Sequence, residues 1–319
     1  MPQYNYVIYH KNCTDGFTGF FILHKSGNIA PDALIYPDIP SAKTCPPNIS
    51  NKDVIIIDVA YKYEVLKSII ELAKSLTFID HHITIKDDVD LLTKSNKNIK
   101  VIYDLNKSGA SLTWNFFYKT PMPKFIKYIE DNDIGKWKYA NTRNFIAALD
   151  VKYNKSLTTL ENLNQWNNLF DNKEVKSLVK TGSIYNEYSM HFVKLNSRRH
   201  GIMYFPGPKI YKKFKNSFDK IAQYKVAMYC GGGCPTGSLL GNYMVSNLDV
   251  DFVVMWTYSL DRKEYIISFV SKQVDVGQIA KLFNGGGHKL AAACSFSRKL
   301  YDLDELFITK PKFKTQPKL

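Results

Sequence analysis

Four consecutive apolar, β-branched residues, Val54-Ile55-Ile56-Ile57, end abruptly at Asp58. A run with no polar face suits a strand buried on both sides, as in a parallel sheet covered by helices. Two other segments follow the same pattern. Tyr6-Val7-Ile8-Tyr9 ends at His10, and Thr77-Phe78-Ile79 ends at Asp80-His81-His82. The apolar run 17–23 reads as a helix. Val65, Leu66, Ile69, Ile70, Leu72 and Ala73 mark one face of another. Val101-Ile102-Tyr103 supplies a further strand. Ser108 or Gly109 opens a helix through Leu112, Trp114 and Phe116, and Pro123 suits the start of a helix over 125–129. Strands alternating with helices predict βαβ units and a parallel sheet.

The pattern changes beyond residue 150. Residues 150–200 are polar and helix-like, and Pro206-Gly207-Pro208 breaks the chain. Strands return at 225–229, 251–256 and 265–269, with helices at 237–247 and 275–283. A chain of 319 residues exceeds the usual single domain, so two α/β domains are expected. The predicted organisation is a first domain over 1–185, a connecting segment 186–215, a smaller domain over 216–308 and a basic tail over 309–319.

Hydrophobic residues make up 45% of the chain, enough for ordinary cores, and the 14% aromatic content argues against disorder. No apolar run approaches the ~18 residues of a membrane span. The start, Met1-Pro2-Gln3-Tyr4, lacks the basic and apolar regions of a signal peptide. Five scattered cysteines do not form a disulfide framework, and Cys230 and Cys234 have no second pair with which to build a zinc site. The expectation is a cytoplasmic protein with no membrane segment. A formal charge of +14 favours polyanionic partners, although the richness in Lys, Asn, Ile and Tyr also fits drift in an AT-rich genome.

The residues that end the strands carry the chemistry. His10 and Asp15 follow the first, Asp58 the second, and Asp80, His81 and His82 the third. Ligands of open parallel sheets bind at the carboxyl ends of strands, where these groups would converge. Carboxylates and imidazoles without thiolates suit Mn²⁺, Mg²⁺ or Fe²⁺. Each piece has a plainer explanation: Asp58 could cap the following helix, Asp15-Gly16 could be only a turn, and His10 could be structural. Asp80-His81-His82, three ligand-type side chains at the end of one strand, is harder to explain that way.

These residues resemble the DHH phosphoesterases, in the subfamily with a C-terminal DHHA1 domain. That group includes RecJ-type exonucleases, nanoRNases and cyclic-dinucleotide phosphodiesterases. Ile79-Asp80-His81-His82 matches the signature of the first domain. Asn284-Gly285-Gly286-Gly287-His288, followed by Ala291-Ala292-Ala293, is similar to the glycine-rich motif of the second. The resemblance implies an N-terminal parallel-sheet domain, a smaller α/β domain and an active site in the cleft between them. It implies His10, Asp15, Asp58 and His81 as metal ligands, with Asp58 bridging two ions. Asp131 is the favoured fourth-motif ligand, with Asp133 in reserve. Asp80 would support the site, and His82 would face the substrate phosphate. Gly285, Gly286, Gly287 and His288 would bind substrate, and Ser238, Gly241 and Asn242 fall where such domains are alike. The implied cofactors are two Mn²⁺ ions, with Mg²⁺ as the alternative.

Three positions depart from the pattern. The first motif is H-x4-D and lacks one of two expected aspartates. Ser268-Phe269-Val270-Ser271 lacks an expected arginine. Ala293 stands where a glycine is usual. The implied activity is hydrolysis of a phosphodiester in a short RNA or DNA oligonucleotide or small nucleotide by a metal-activated water. The alternatives are a nucleic-acid-binding protein with little catalysis and a phosphomonoesterase acting on 3′-phosphoadenosine 5′-phosphate. A homodimer is compatible with either.

Overall fold

The computed structural model describes residues 3–40, 42–214, 223–231 and 237–312. The chain forms two compact units, Met1–Glu187 and Tyr188–Leu319.

The first unit is built on β1 (Tyr4–His10), α1 (Thr14–Lys25), β2 (Ile29–Asp38), β3 (Asp53–Ile57), α2 (Tyr63–Leu72), β4 (Ser75–Asp80), α3 (Lys86–Ser95), β5 (Ile99–Tyr103), α4 (Gly109–Phe117) and α5 (Lys124–Asp133). The strands form an all-parallel sheet in the order β2-β1-β3-β4-β5. Alternation along each strand feeds two cores. Val7, Tyr9, Ile55 and Ile57 pack with Phe17 and Phe20 of α1, Ala110 and Leu112 of α4, and Ile126 of α5. Tyr6, Ile8, Val54 and Ile56 pack with Val65, Leu66 and Ile69 of α2 and Val89 and Leu92 of α3. Both faces are covered, which is why β3 can be apolar throughout.

Strand β2 does not show in the sequence pattern. Pro31 and Pro37 make it read as broken, yet it lies at the sheet edge, where proline's missing N–H is tolerated. The polar stretch 150–200 carries the expected helices, α7 (Leu160–Asn167) and α8 (Asn172–Asn196), and α6 (Thr142–Lys152) begins ahead of it. The boundary between the units falls inside the 25-residue α8, so the expected connecting segment 186–215 begins within a continuous helix.

The second unit contains β6 (Gly201–Phe205), α9 (Pro208–Lys213), β7 (Tyr224–Cys230), α10 (Gly237–Asn247), β8 (Phe252–Ser259), β9 (Glu264–Ser271), α11 (Val276–Lys281), β10 (Gly286–Gly287), β11 (Ala291–Ser297) and α12 (Leu303–Leu306). Its mixed sheet runs β10-β11-β9-β8-β7-β6, with only β7 and β8 parallel. Leu240 and Met244 of α10 pack on one face against Ala227, Val253 and Val270. Val276, Ile279 and Leu306 pack on the other against Val254, Ile267 and Phe296.

The glycine-rich segment is part of this sheet. Gly286 and Gly287 pair with Ala293 and Ala292, and His288 N–H donates to Ala291 O at 2.7 Å. A Cβ on Gly285 would lie 2.2 Å from Ala293 O, so only glycine fits this close backbone approach. Ala293 can replace the usual glycine because its side chain points to solvent. Residues 313–319 of the expected basic tail, Cys234 and the side chain of Ser238 lie outside the described residues. Among the described residues, no helix is long and apolar enough to cross a membrane.

Candidate metal centre

The strand order places β1 beside β3, while the chain leaves β1 for β2 on its other side. The crevice at such a switch point, beyond the carboxyl ends of the strands, is where open parallel sheets bind ligands. His10 ends β1, Asp58 follows β3, and Asp80 ends β4.

Asp58 is 1% exposed and adopts a left-handed φ of 62°. Aspartate enters that region more readily than bulky residues, and functional sites often hold residues in it. Helix α2 begins at Tyr63 with Lys62 as its N-cap, so Asp58 is not a capping residue. Its Oδ1 lies 3.2 Å from His81 Nε2 and its Oδ2 lies 3.3 Å from His10 Nδ1. Burial disfavours its ionised form, but hydrogen bonds from His10 and His81 and the nearby imidazole charges hold its pKa below the usual carboxylate range.

His81 is the meeting point. Its Nε2 lies 3.2 Å from Asp58 Oδ1, 3.3 Å from Asp133 Oδ2 and 3.9 Å from Asp15 Oδ2. Burial would lower its pKa, yet the hydrogen bond to Asp58 and the charges of Asp133, Asp58 and Asp15 push it up to about 10. Asp15 is placed by α4. Its carboxylate accepts from Gly109 N–H at 2.6 Å and Ala110 N–H at 3.1 Å, at the positive end of that helix. The helix can come this close because residue 109 has no side chain. A Cβ there would lie 2.8 Å from Asp58 Cβ and 2.9 Å from Asp15 Oδ2. Ser108 and Ser111 close the helix start with a capping box. Burial, followed by the charges of Asp133 and Asp58, raises Asp15's pKa well above normal.

Asp80 is fully buried, and one oxygen accepts from His81 N–H (2.6 Å), His82 N–H (2.8 Å) and the His82 ring at Nδ1 (2.8 Å). This orients His82, whose side chain is 13% exposed. Burial opposes charge on His82, but Asp80 raises its pKa overall.

Asp131, favoured from the sequence, stands outside this group. Its carboxylate accepts from Lys138 N–H (2.6 Å), Tyr139 N–H (3.1 Å) and Thr142 Oγ1–H (2.5 Å), anchoring the start of α6. Asp133, two residues on, faces His81, and its Oδ2 is buried without a hydrogen-bond partner. Burial pushes its pKa up to about 6, a rise that the His81 charge limits and the Asp58 charge reinforces.

Sequence reasoning also passed over Cys13. Its Sγ lies 3.5 Å from Asp58 Oδ2, and burial together with the Asp58, Asp133 and Asp15 charges raises its thiol pKa well above normal. Its place in the turn between His10 and Asp15 was the available signal.

Three carboxylates around one imidazole nitrogen cannot all be satisfied by its single proton. The donor set fits divalent cations, whose charge would offset this repulsion. Within the first unit, two groups have donor atoms within 4.8 Å of one another: Asp15, Asp58 and His81, and His10, Cys13 and Asp58. Asp58 belongs to both.

No protein-family model matches the chain. It is 29% identical over 311 residues to an uncharacterised protein of Acanthamoeba polyphaga mimivirus, covering 92% of this chain and 68% of that one. Among solved structures, it is similar to an exopolyphosphatase-related protein from Bacteroides fragilis, with a TM-score of 0.48, 15% identity and coverage of 92% of this chain and 87% of that one. A pGpG-specific phosphodiesterase from Vibrio cholerae gives a TM-score of 0.42 and 12% identity, covering 92% and 94%. RecJ from Thermus thermophilus in complex with Mn²⁺ gives 0.37 and 12% identity, covering 93% of this chain and 50% of that one.

Proposed function

We propose that the chain is a metal-dependent phosphodiesterase of the DHH type, acting on a short oligonucleotide or a small nucleotide. The observation that carries this reading is the convergence of Asp15, Asp58 and Asp133 within 3.9 Å of His81 Nε2. Cations bound there, Mn²⁺ or Mg²⁺, supply the Lewis acidity and the lowered water pKa that phosphodiester hydrolysis needs.

The protein's own groups have distinct tasks. Asp58 serves both donor groups, while His10 and His81 approach its two oxygens from different strand ends. Asp15 is fixed by the N-terminus of α4 and Asp133 by α5. Asp80 orients His82, whose exposed edge and raised pKa suit contact with a phosphate oxygen. Gly285, Gly286, Gly287 and His288 are proposed as substrate-binding groups on their motif alone. The formal charge of +14 supports a polyanionic substrate.

The test is a substrate panel: RNA dimers to pentamers, a cyclic dinucleotide, 3′-phosphoadenosine 5′-phosphate and pyrophosphate, each with Mn²⁺ and with chelator. Mononucleotide release from short RNA that chelator abolishes is the expected result. Asp58→Ala and His81→Ala should each lower kcat/KM by about 10³-fold, or ~4 kcal/mol, with unchanged circular dichroism. If both variants keep wild-type rates, the site is misassigned. Binding without turnover, unaffected by Asp80→Ala, would instead indicate a nucleic-acid-binding protein.

A further inference from the structure

Cys13 occupies the turn between His10 and Asp15, where the first motif lacks an expected carboxylate. It is the N-cap of α1, and its thiol also feels the backbone N–H of Gly16 in the first turn. Its Sγ lies 3.5 Å from Asp58 Oδ2, the oxygen that His10 Nδ1 approaches at 3.3 Å. Ligand atoms about 2.0–2.3 Å from a metal stand roughly 3–4 Å from one another, the separation of Asp58 Oδ2 from each of the other two. Without a cation, the same contact would be a weak thiol hydrogen bond to a carboxylate.

We propose that Cys13 Sγ is a metal ligand, together with His10 Nδ1 and Asp58 Oδ2, so that one cation site is a mixed sulfur, nitrogen and oxygen site. The proposal rests on the metal-centre reading above and adds a ligand of different chemistry. On binding, the S–H bond breaks, the proton leaves to solvent and the sulfur lone pair bonds to the cation. No oxidant or reductant takes part. Thiolate is a soft ligand, so this site should favour Co²⁺, Zn²⁺ or Cd²⁺ over Mg²⁺ more strongly than the site made by Asp15, Asp58 and His81, whose softest donor is an imidazole.

The experiment uses the full chain, stripped with chelator and titrated with Co²⁺. A near-ultraviolet sulfur-to-cobalt charge-transfer band should grow to saturation. It should be absent in Cys13→Ser and kept in Cys45→Ser, Cys230→Ser, Cys234→Ser and Cys294→Ser. Calorimetry should show Cys13→Ser weakening Cd²⁺ binding by about 100-fold while changing Mg²⁺ binding less than about threefold. Serine is a favoured N-cap, so this variant should fold at least as well as the native chain, and a thermal melt checks that. Cys13→Asp should bind Mg²⁺ more tightly and give no band. Co²⁺ binding without a band, or a band that survives in Cys13→Ser, overturns the assignment of Cys13 and leaves the metal centre standing. Absence of Co²⁺ and Mn²⁺ binding by calorimetry overturns both.

Discussion

The first unit buries Asp15, Asp58, Asp80 and His81 at one end of its sheet. Among the described residues of the second unit, the buried polar side chains are Gln223 and Ser271. Gln223 donates to Pro206 O and accepts from Lys312 N–H, and Ser271 donates to Asp251 O. Those are buried polar groups satisfied by backbone, at little net energetic cost. The first unit instead packs carboxylates against one another around a single imidazole, an arrangement that opposes folding unless cations offset it. The second sheet is organised for packing. One end of the first is organised against its own stability, which is what a binding centre requires.

The largest effect that separates these descriptions is the pH dependence of stability. His81 is pushed from 6.5 up to about 10. A histidine with a raised folded pKa stabilises fully below its unfolded pKa, and the contribution is lost as pH rises through its folded pKa. In chelator, stability should therefore fall between about pH 6.5 and 10, by on the order of a few kcal/mol. Asp133, at about 6, makes most of its change below this window. Metal ligands must be deprotonated, so with Mn²⁺ the same pH rise should tighten binding, and the fall should flatten or reverse. Thermal melts across that range, with and without Mn²⁺, test this. His81→Gln should shrink the fall seen in chelator, leaving the part due to His82 and Asp15, whose pKa values are also raised. Parallel curves for the two conditions would mean that no metal binds at His81.

Next in size is a contrast within α5. Residues two apart on a helix point about 200° apart, to nearly opposite sides. Asp131→Ala should destabilise the fold by about 2–4 kcal/mol, because three hydrogen bonds to a charged acceptor are lost, while metal affinity changes little. Asp133→Ala should do the reverse, lowering metal affinity at small or favourable cost to stability. Denaturant melts and calorimetry on both variants decide the matter. If Asp131→Ala weakens metal binding as much as Asp133→Ala does, the division of labour is wrong.

That pair also marks how far the sequence is legible. Strands β1, β3, β4 and β5 show themselves because each is a short apolar run ending in a polar group, and His10, Asp58 and His81 come with them. Helix starts at Ser108 and Pro123 are equally plain. Edge strand β2 is hidden because its prolines look like breaks, and only its position at the margin makes them acceptable. Asp131 and Asp133 cannot be told apart locally, since what separates them is that Thr142 and the Lys138 and Tyr139 N–H groups meet the first. Gly109 has no motif, because its importance is an empty volume against Asp15 and Asp58. Cys13 is concealed by its type: a cysteine among expected carboxylates reads as a gap, until its sulfur is found beside Asp58.

The smallest effect probes the second unit by itself. A Cβ on Gly285 would lie 2.2 Å from Ala293 O and 2.5 Å from Cys294 Cβ, so β11 would have to shift. Gly285→Ala should cost about 1–3 kcal/mol, the usual range for overpacking. The loss should be local. Amide exchange should speed up in β9 and β11, which pair directly, while β1, β3 and β4 keep their protection. Metal affinity measured by calorimetry should stay at the wild-type value, because the donor atoms belong to the other unit. If Gly285→Ala leaves exchange in β11 unchanged, the glycine is not there for close packing, and its conformational freedom or a bound ligand must explain it. If it also loosens β3 and β4, the two sheets do not respond as separate structures and the contrast between them fails.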